Sequence, residues 1–154
     1  MIDSFKGENR FLSNFGEGGL WYGGHHYLNR ESAYQASKLP PNCEASRILY
    51  ESTSGVEAKA LSKKLKHLTR PDWKQYSLVT MSEIVHAFFT QNKQDRMKLL
   101  ATGDEDLVEG NNWHDTFYGV CNCGGNFPVC HGGGMNWLGR ILMAERAYWK
   151  VLHR

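Results

Sequence analysis

The 154-residue sequence has no apolar run long enough to cross a membrane, and its first residues, Met1 to Asn9, mix acidic, basic and polar side chains instead of forming a secretory leader. An excess of one charge is also missing. The net charge is +2, and the 22% of residues that are charged are mixed in sign along the chain, so no broad basic footprint for duplex DNA or an anionic membrane exists. Neither a G-x-G-x-x-G fingerprint nor a P-loop occurs, so nicotinamide and nucleotide-triphosphate chemistry lack their usual phosphate cradle. There is no internal repeat and no long linker. Cysteine is scarce: of the four, Cys121 and Cys123 stand too close for an easy mutual bridge, which fits a reducing compartment better than a disulfide framework. These absences predict a soluble, cytoplasmic protein, or one acting inside a host cell, without obligate large polyanionic partners. Small phosphorylated molecules remain admissible.

What is present is enough apolar material, 41% hydrophobic with 12% aromatic, for one sizeable core, and residues 1–154 are expected to form a single domain. Glycines gather at Gly16 to Gly24 and Gly124 to Gly134, as loops or turns. Between them run helical patterns with caps and breakers. Asn29 caps a helix from about Arg30 to Leu39, stopped by Pro40 and Pro41. Asn42 opens the next, with Ala45, Ile48 and Leu49 as its inward stripe. Ser54 and Glu57 form a capping box for a third helix carrying Val56, Leu61, Leu65 and Leu68. A longer helix after Thr69 to Asp72 repeats Trp73, Met81, Ile84, Val85 and Phe88 at helical spacing. Another runs from Asn92 to a Gly103 terminator, and a last from about Asn136 to Leu152, with Leu138, Ile141, Leu142, Ala144, Trp149 and Leu152 mostly inward. Leu107 to Glu109 and Thr116 to Cys121 suit short strands. The predicted class is α+β, helix-rich, with a small sheet or hairpins.

Three places carry candidate chemistry. Glu31, Tyr34, Gln35 and Lys38 stand at i, i+3, i+4 and i+7, so one helix face presents all four, either as a solvated surface or as a pocket lining. After Thr102 comes a dense polar and aromatic stretch in which Glu109 and Asp115 offer carboxylates for acid and base work, while Trp113 and Tyr118 offer faces for a planar base. Arg10, Phe11, Leu12, Ser13, Asn14 and Phe15 set two polar side chains between two phenylalanines, as ligand contacts or as a turn.

Cys121, Cys123, Cys130 and His131 form C-x-C-x6-C-H. That supplies four potential zinc ligands without the paired C-x2-C spacing of a strong zinc motif, so the expectation is buried structural cysteine and no metal. Gly132 to Gly134 can expose amides to a phosphate ahead of the last helix.

Together these segments resemble the NADAR, or YbiA-like, family from about Phe11 to Tyr148. The resemblance is carried by Phe11-Leu12-Ser13-Asn14-Phe15, by Tyr27 through Lys38 against the family's Y-x-S-x-E-H-A-Y-Q-A-x-K, by Ala58-Lys59, Arg70-x-Asp72-Trp73 and Gln91-Asn92. It continues through Leu99-Leu100-x-Thr102-Gly103, Leu107-Val108-Glu109, Asp115, Gly119, Asn136-x-Leu138-Gly139 and Leu142-Met143. Among the departures, Ser32 replaces the usual His, Phe88 a common lysine, and Tyr118 the usual Trp.

The resemblance implies a YbiA-like fold and N-glycosidase activity without a cofactor. Two substrate classes are implied, phosphorylated riboflavin-pathway intermediates and guanine bases carrying ADP-ribose, the latter free or within nucleic acid. It places the Glu31 helix face in the active site, with Lys38 as nucleophile, Lys59 as second choice, and Glu109 or Asp115 as acid or base. Arg10, Phe11, Ser13, Asn14, Phe15, Tyr34, Gln35, Lys59, Trp113 and Tyr118 are then expected to contact substrate. The alternative is a non-catalytic module that binds ADP-ribose or a nucleotide.

Overall fold

The computed structural model describes residues 1–125 and 130–153; part of the glycine-rich stretch, residues 126–129, therefore lies outside the description. The chain is helix-rich with two small two-stranded sheets, as expected for the α+β class. It gathers into two compact units, one of residues 14–93 and one of residues 1–13 with 94–154.

In the unit of residues 14–93, the first glycine cluster ends in a hairpin. Strands β1 (Leu20–Tyr22) and β2 (His25–Tyr27) pair antiparallel, with Tyr22 opposite His25, so Gly23 and Gly24 alone make the turn. Their φ values of 59° and 84° are those of a two-residue turn whose twist suits a hairpin and which only glycine adopts easily. Helix α1 (Arg30–Ala36) follows its expected cap: the Asn29 side chain accepts from the Ser32 N–H at 2.8 Å and donates to the Thr53 carbonyl at 2.9 Å. All seven residues of α1 are buried, Glu31 and Gln35 included, so it is a central helix and not an amphipathic surface one.

Helix α2 (Glu44–Ile48) is short and departs from expectation. Its cap is Cys43 and not Asn42, and Ala45, Ile48 and Leu49 are exposed; Tyr50, in the 3-10 turn that follows, is the buried anchor. Helix α3 (Gly55–Lys64) has the predicted capping box, Ser54 Oγ accepting from the Glu57 N–H at 3.1 Å and Glu57 from the Ser54 N–H at 3.2 Å. Its buried residues are Gly55 and Ala58, whereas Val56 faces outward. Helix α4 (Trp73–Gln91) buries Met81, Ile84, Val85 and Phe88 as its periodicity predicts, each contributing about 1.5 to 3 kcal/mol relative to exposure before chain entropy is subtracted. Trp73 is only half-buried.

In the other unit, helix α5 (Lys93–Ala101) ends at Gly103, whose φ of 65° provides the expected left-handed stop. The predicted strands occur shifted: β3 (Gly110–Asn111) and β4 (Val120–Cys121) pair parallel, and Leu107 instead forms an isolated bridge with Ile2. Helix α6 (Trp137–Leu152) buries Leu138 and Leu142, but Ala144 and Leu152 are exposed and Trp149 is half-buried. Glu145 and Arg146 turn inward instead, because each has a partner: Glu145 accepts from Trp149 Nε1 at 2.6 Å and Arg146 donates to Thr102 Oγ1 at 2.8 Å.

Asn136 and Gly139 act together at the start of α6. Asn136 Nδ2 donates to the Leu107 carbonyl at 2.9 Å, and its Oδ1 accepts from the Glu109 N–H at 3.0 Å. A β-carbon on Gly139 would collide with that same Leu107 carbonyl and with the Asn136 side chain. Gly139→Ala is therefore expected to cost about 1 to 3 kcal/mol, the range for overpacking; a urea midpoint equal to that of the wild type would show the helix start to be loosely packed.

Candidate active site

The buried face of α1 gathers most of the residues expected at the site. Gln35 Nε2 donates to Glu31 Oε1 at 2.7 Å, an i, i+4 bond along the helix. Glu31 and Gln35 are 6% and 5% exposed, so this polar pair is held inside the protein. Lys38 lies just past the end of α1, in the turn closed by its N–H to the Gln35 carbonyl at 3.2 Å. Its ammonium stands 5.7 Å from the centre of the Tyr34 ring. Burial pushes the Lys38 pKa below its ordinary value; the Glu31 charge opposes that shift, and the Lys59 charge adds to it.

Ser32, at the position where the family has His, serves the scaffold: its hydroxyl bonds the Thr53 carbonyl and hydroxyl, both at 2.8 Å. Asn14 accepts the Glu31 N–H on its backbone carbonyl at 3.0 Å, while its side-chain Nδ2 reaches Met81 Sδ at 3.4 Å. Among the described residues, the buried Asn14 Oδ1 and Gln35 Oε1 have no hydrogen-bond partner. Buried acceptors left open in this way are suited to ligand hydroxyls. Phe15 packs on the first turn of α3, where a β-carbon on Gly55 would strike its ring. One turn on, the exposed Lys59 lies with its ammonium 5.4 Å from the Phe15 ring centre.

Trp73, which falls on the helical core stripe in sequence, stands edge-on to Tyr34 with ring centres 5.2 Å apart, beside the Lys38 turn. Its signal was its place in Arg70-x-Asp72-Trp73. Arg70 grips Asp72 in a fork at 2.6 and 2.9 Å and accepts the Trp73 N–H on its carbonyl at 3.2 Å, which fixes the start of α4.

The remaining candidates belong to the other compact unit. Arg10 is exposed and Phe11 half-buried, with Lys98 5.8 Å from the Phe11 ring centre; Ser13 is buried at the end of the same 3-10 turn. Asp115 Oδ1 accepts the Phe117 and Tyr118 N–H groups, both at 3.0 Å, so this carboxylate shapes a turn. Asn111 holds the same loop, taking the Asp115 N–H at 3.0 Å and donating to its carbonyl at 2.8 Å. Glu109 is half-buried between the Asn136 clamp on its N–H and the Val120 N–H on its carbonyl at 2.8 Å. Trp113 is exposed, and Tyr118 packs edge-on against Phe117 with 4.8 Å between ring centres. The glycine turn before α6 is less open to phosphate than its sequence suggests, because the Gly133 N–H bonds the Cys121 carbonyl and the Gly132 N–H bonds Cys130 Sγ.

The α1 face thus carries a buried carboxylate, a half-buried amine whose pKa burial lowers, and an open amide acceptor, with a second from Asn14 beside it. The chain belongs to the NADAR family: the NADAR domain model matches residues 4–149 and so runs through both compact units. The N-glycosidase Npun_R5314 of Nostoc punctiforme is 34% identical over 137 residues, which cover 88% of this chain and 82% of that protein. The riboflavin biosynthesis protein VVA0006 of Vibrio vulnificus is 34% identical over 136 residues, 88% of this chain; the chain spans only 34% of that longer relative. The solved structure of E. coli YbiA shares the fold, with a TM-score of 0.80 at 24% identity, covering 99% of this chain and 89% of that one.

Proposed function

We propose that this N-glycosidase hydrolyses a ribosyl–base C–N bond, its substrate being a phosphorylated riboflavin-pathway intermediate or a guanine base that carries ADP-ribose. The observation that carries this reading is the buried Glu31–Gln35 pair on the helix face that ends at the half-buried Lys38, where burial lowers the pKa of the amine. An amine attacks carbon only when neutral, and desolvation increases its neutral fraction near pH 7. Ring opening leaves C1′ as an imine to the base nitrogen; Lys38 adds to C1′, and collapse of the aminal breaks the bond to the base, whose nitrogen takes the two protons that the amine gives up, leaving a Schiff base between Lys38 and C1′. Water then hydrolyses the Schiff base, returning the amine and the free sugar. Glu31 offsets the positive charge that develops at C1′. A module that only binds ADP-ribose has no use for a depressed lysine beside a carboxylate, so the geometry disfavours it.

The two substrate classes are separated by liquid chromatography of the released base after incubation with each. Turnover of one and not the other assigns the class, and binding of both without base release would establish the binding module instead. The name of the Vibrio relative supports the riboflavin arm, while that relative's extra length leaves the guanine arm equally worth assaying.

The pH profile gives a further expectation. Activity rises with pH through the Lys38 pKa as the amine becomes neutral. Lys59→Met removes a positive charge that helps depress that pKa, so it should move the rising limb of kcat to higher pH. A limb that stays in place or moves to lower pH would mean that another group titrates in the rate-limiting step.

A further inference from the structure

We infer that His114, Cys121, Cys123 and Cys130 form a tetrahedral structural zinc site. By sequence the spacing C-x-C-x6-C-H makes His131 the natural fourth ligand, and its lack of C-x2-C pairs argues against metal. In the structure His131 is exposed, and the fourth group is His114, from a loop ahead of the cysteines.

The four donor atoms all lie within 4.8 Å of one another. Cys130 Sγ is 3.0 Å from His114 Nδ1, 3.1 Å from Cys123 Sγ and 3.6 Å from Cys121 Sγ, and Cys121 Sγ is 3.7 Å from His114 Nδ1. A tetrahedron with Zn–S of about 2.3 Å and Zn–N of about 2.0 to 2.1 Å has S···S edges near 3.8 Å and S···N edges near 3.5 Å. Of the four separations given, the two to Cys121 match that frame and the two from Cys130 to His114 and Cys123 are contracted.

The backbone is built to hold it. Pairing of β3 with β4 sets Asn111 beside Cys121, and the Asn111 side chain clamps Asp115 from both sides of its peptide unit. Between those points His114 takes a φ of 71°, a left-handed conformation that costs any residue with a β-carbon. That conformation belongs to the loop whose imidazole meets the sulfurs. On the other side, Cys121 exchanges backbone bonds with Gly133 at 2.7 and 3.0 Å, which returns the Cys130 turn to β4. Gly132, at φ 76°, directs its N–H to Cys130 Sγ at 3.4 Å, a charge-assisted bond when that sulfur is a thiolate.

Three thiolates and one imidazole are soft and borderline donors that select zinc over magnesium, calcium or manganese. With all four positions filled by protein the site has no open coordination position, so its role is to pin the His114 loop and the Cys130 turn to β4 and not to activate water. Binding converts three thiols to thiolates with release of three protons, while the neutral imidazole binds through Nδ1 and keeps its proton on Nε2.

The test uses the full chain, purified without a histidine tag under a thiol reductant. Elemental analysis should find one zinc per chain, and cobalt in its place should give visible tetrahedral bands with a near-ultraviolet thiolate charge-transfer band. Thiol titration should show Cys43 alone reacting before chelation and all four cysteines after it. His114→Ala, Cys121→Ser and Cys130→Ser should each retain about a tenth of the metal or less, whereas His131→Ala and Cys43→Ser should retain all of it. Should the alanine variant fail to fold, His114→Cys preserves a four-ligand set and should raise the cobalt charge-transfer intensity by about a third. The proposal falls if the wild type carries no zinc and takes up no tetrahedral cobalt, if mass spectrometry finds a Cys123–Cys130 disulfide in that reduced preparation, or if His131→Ala loses the metal while His114→Ala keeps it.

Discussion

Lys38→Ala and Glu31→Gln should each lose base release by at least about a hundredfold, the lower range for deleting a catalytic acid, base or nucleophile. The two losses have different physical origins. Removing Lys38 deletes the amine, whereas Glu31→Gln keeps the volume and the bond from Gln35 but removes the charge that faces the developing cation. Stability separates catalysis from folding here. Burial lowers the folded-state pKa of Lys38 below its unfolded value, so between those two values the unfolded chain binds more protons and stability rises with pH; below both, the buried ammonium is a cost to the fold. Lys38→Met removes that cost and should melt no lower than the wild type at neutral pH while losing the same activity. Borohydride added during turnover should reduce the Schiff base to a stable amine, with the sugar adduct on the peptide that contains Lys38. An adduct on Lys59 instead would transfer the nucleophile to that residue. Full activity in both Lys38→Ala and Lys59→Ala would replace covalent attack with direct attack by water assisted by a carboxylate.

Local signals in the sequence were reliable where one segment carried both cause and effect. The Asn29 cap, the Ser54–Glu57 box, the Gly103 stop and the α4 stripe each depend on residues within a few turns of one another, and all occur as expected apart from Trp73, the first residue of the stripe, which is half-buried. The failures arise where a partner lies far along the chain. Ala45, Ile48 and Leu49 have helical spacing, but α2 is too short to carry a stripe and Tyr50 does the burying. Gln91-Asn92 looked like a helix boundary; the structure shows Gln91 bonding both the N–H and the carbonyl of Trp21, at 2.7 and 2.8 Å, while Asn92 donates to the Gly19 carbonyl at 3.0 Å. That family pair thus ties α4 to the hairpin. At the candidate site the grouping of Glu31, Tyr34, Gln35 and Lys38 was legible from helical spacing, but the complete burial of α1 was not, because its polar residues are satisfied or left open by groups from other segments. In the same way sequence adjacency pointed to His131, and only the β3–β4 pairing brings His114 to the cysteines.

The largest loss of stability is expected from Phe88→Ala, about 3 to 5 kcal/mol. Phe88 is 1% exposed, meets Phe89 edge-on with ring centres 5.0 Å apart, and carries the Arg30 guanidinium 4.3 Å above its own ring centre. Truncation therefore opens a cavity and also removes a π face from a guanidinium that is itself only 1% exposed. Trp73 shares the helical spacing of Phe88 but is half-buried, so its truncation should cost distinctly less. Phe88 stands where the family commonly has lysine, and Phe88→Lys is expected to destabilise this chain because an ammonium would then face Arg30 in place of an aromatic ring. Phe88→Leu keeps most of the volume without the π face, so the difference between Leu and Ala measures packing and the remaining deficit of Leu includes the lost cation–π contact. Urea unfolding of the four variants should rank Ala and Lys at position 88 below Leu, and each of these two below Trp73→Ala. If Phe88→Ala and Trp73→Ala shift the midpoint equally, Arg30 gains nothing from the ring beneath it and the α1–α4 contact rests on volume alone.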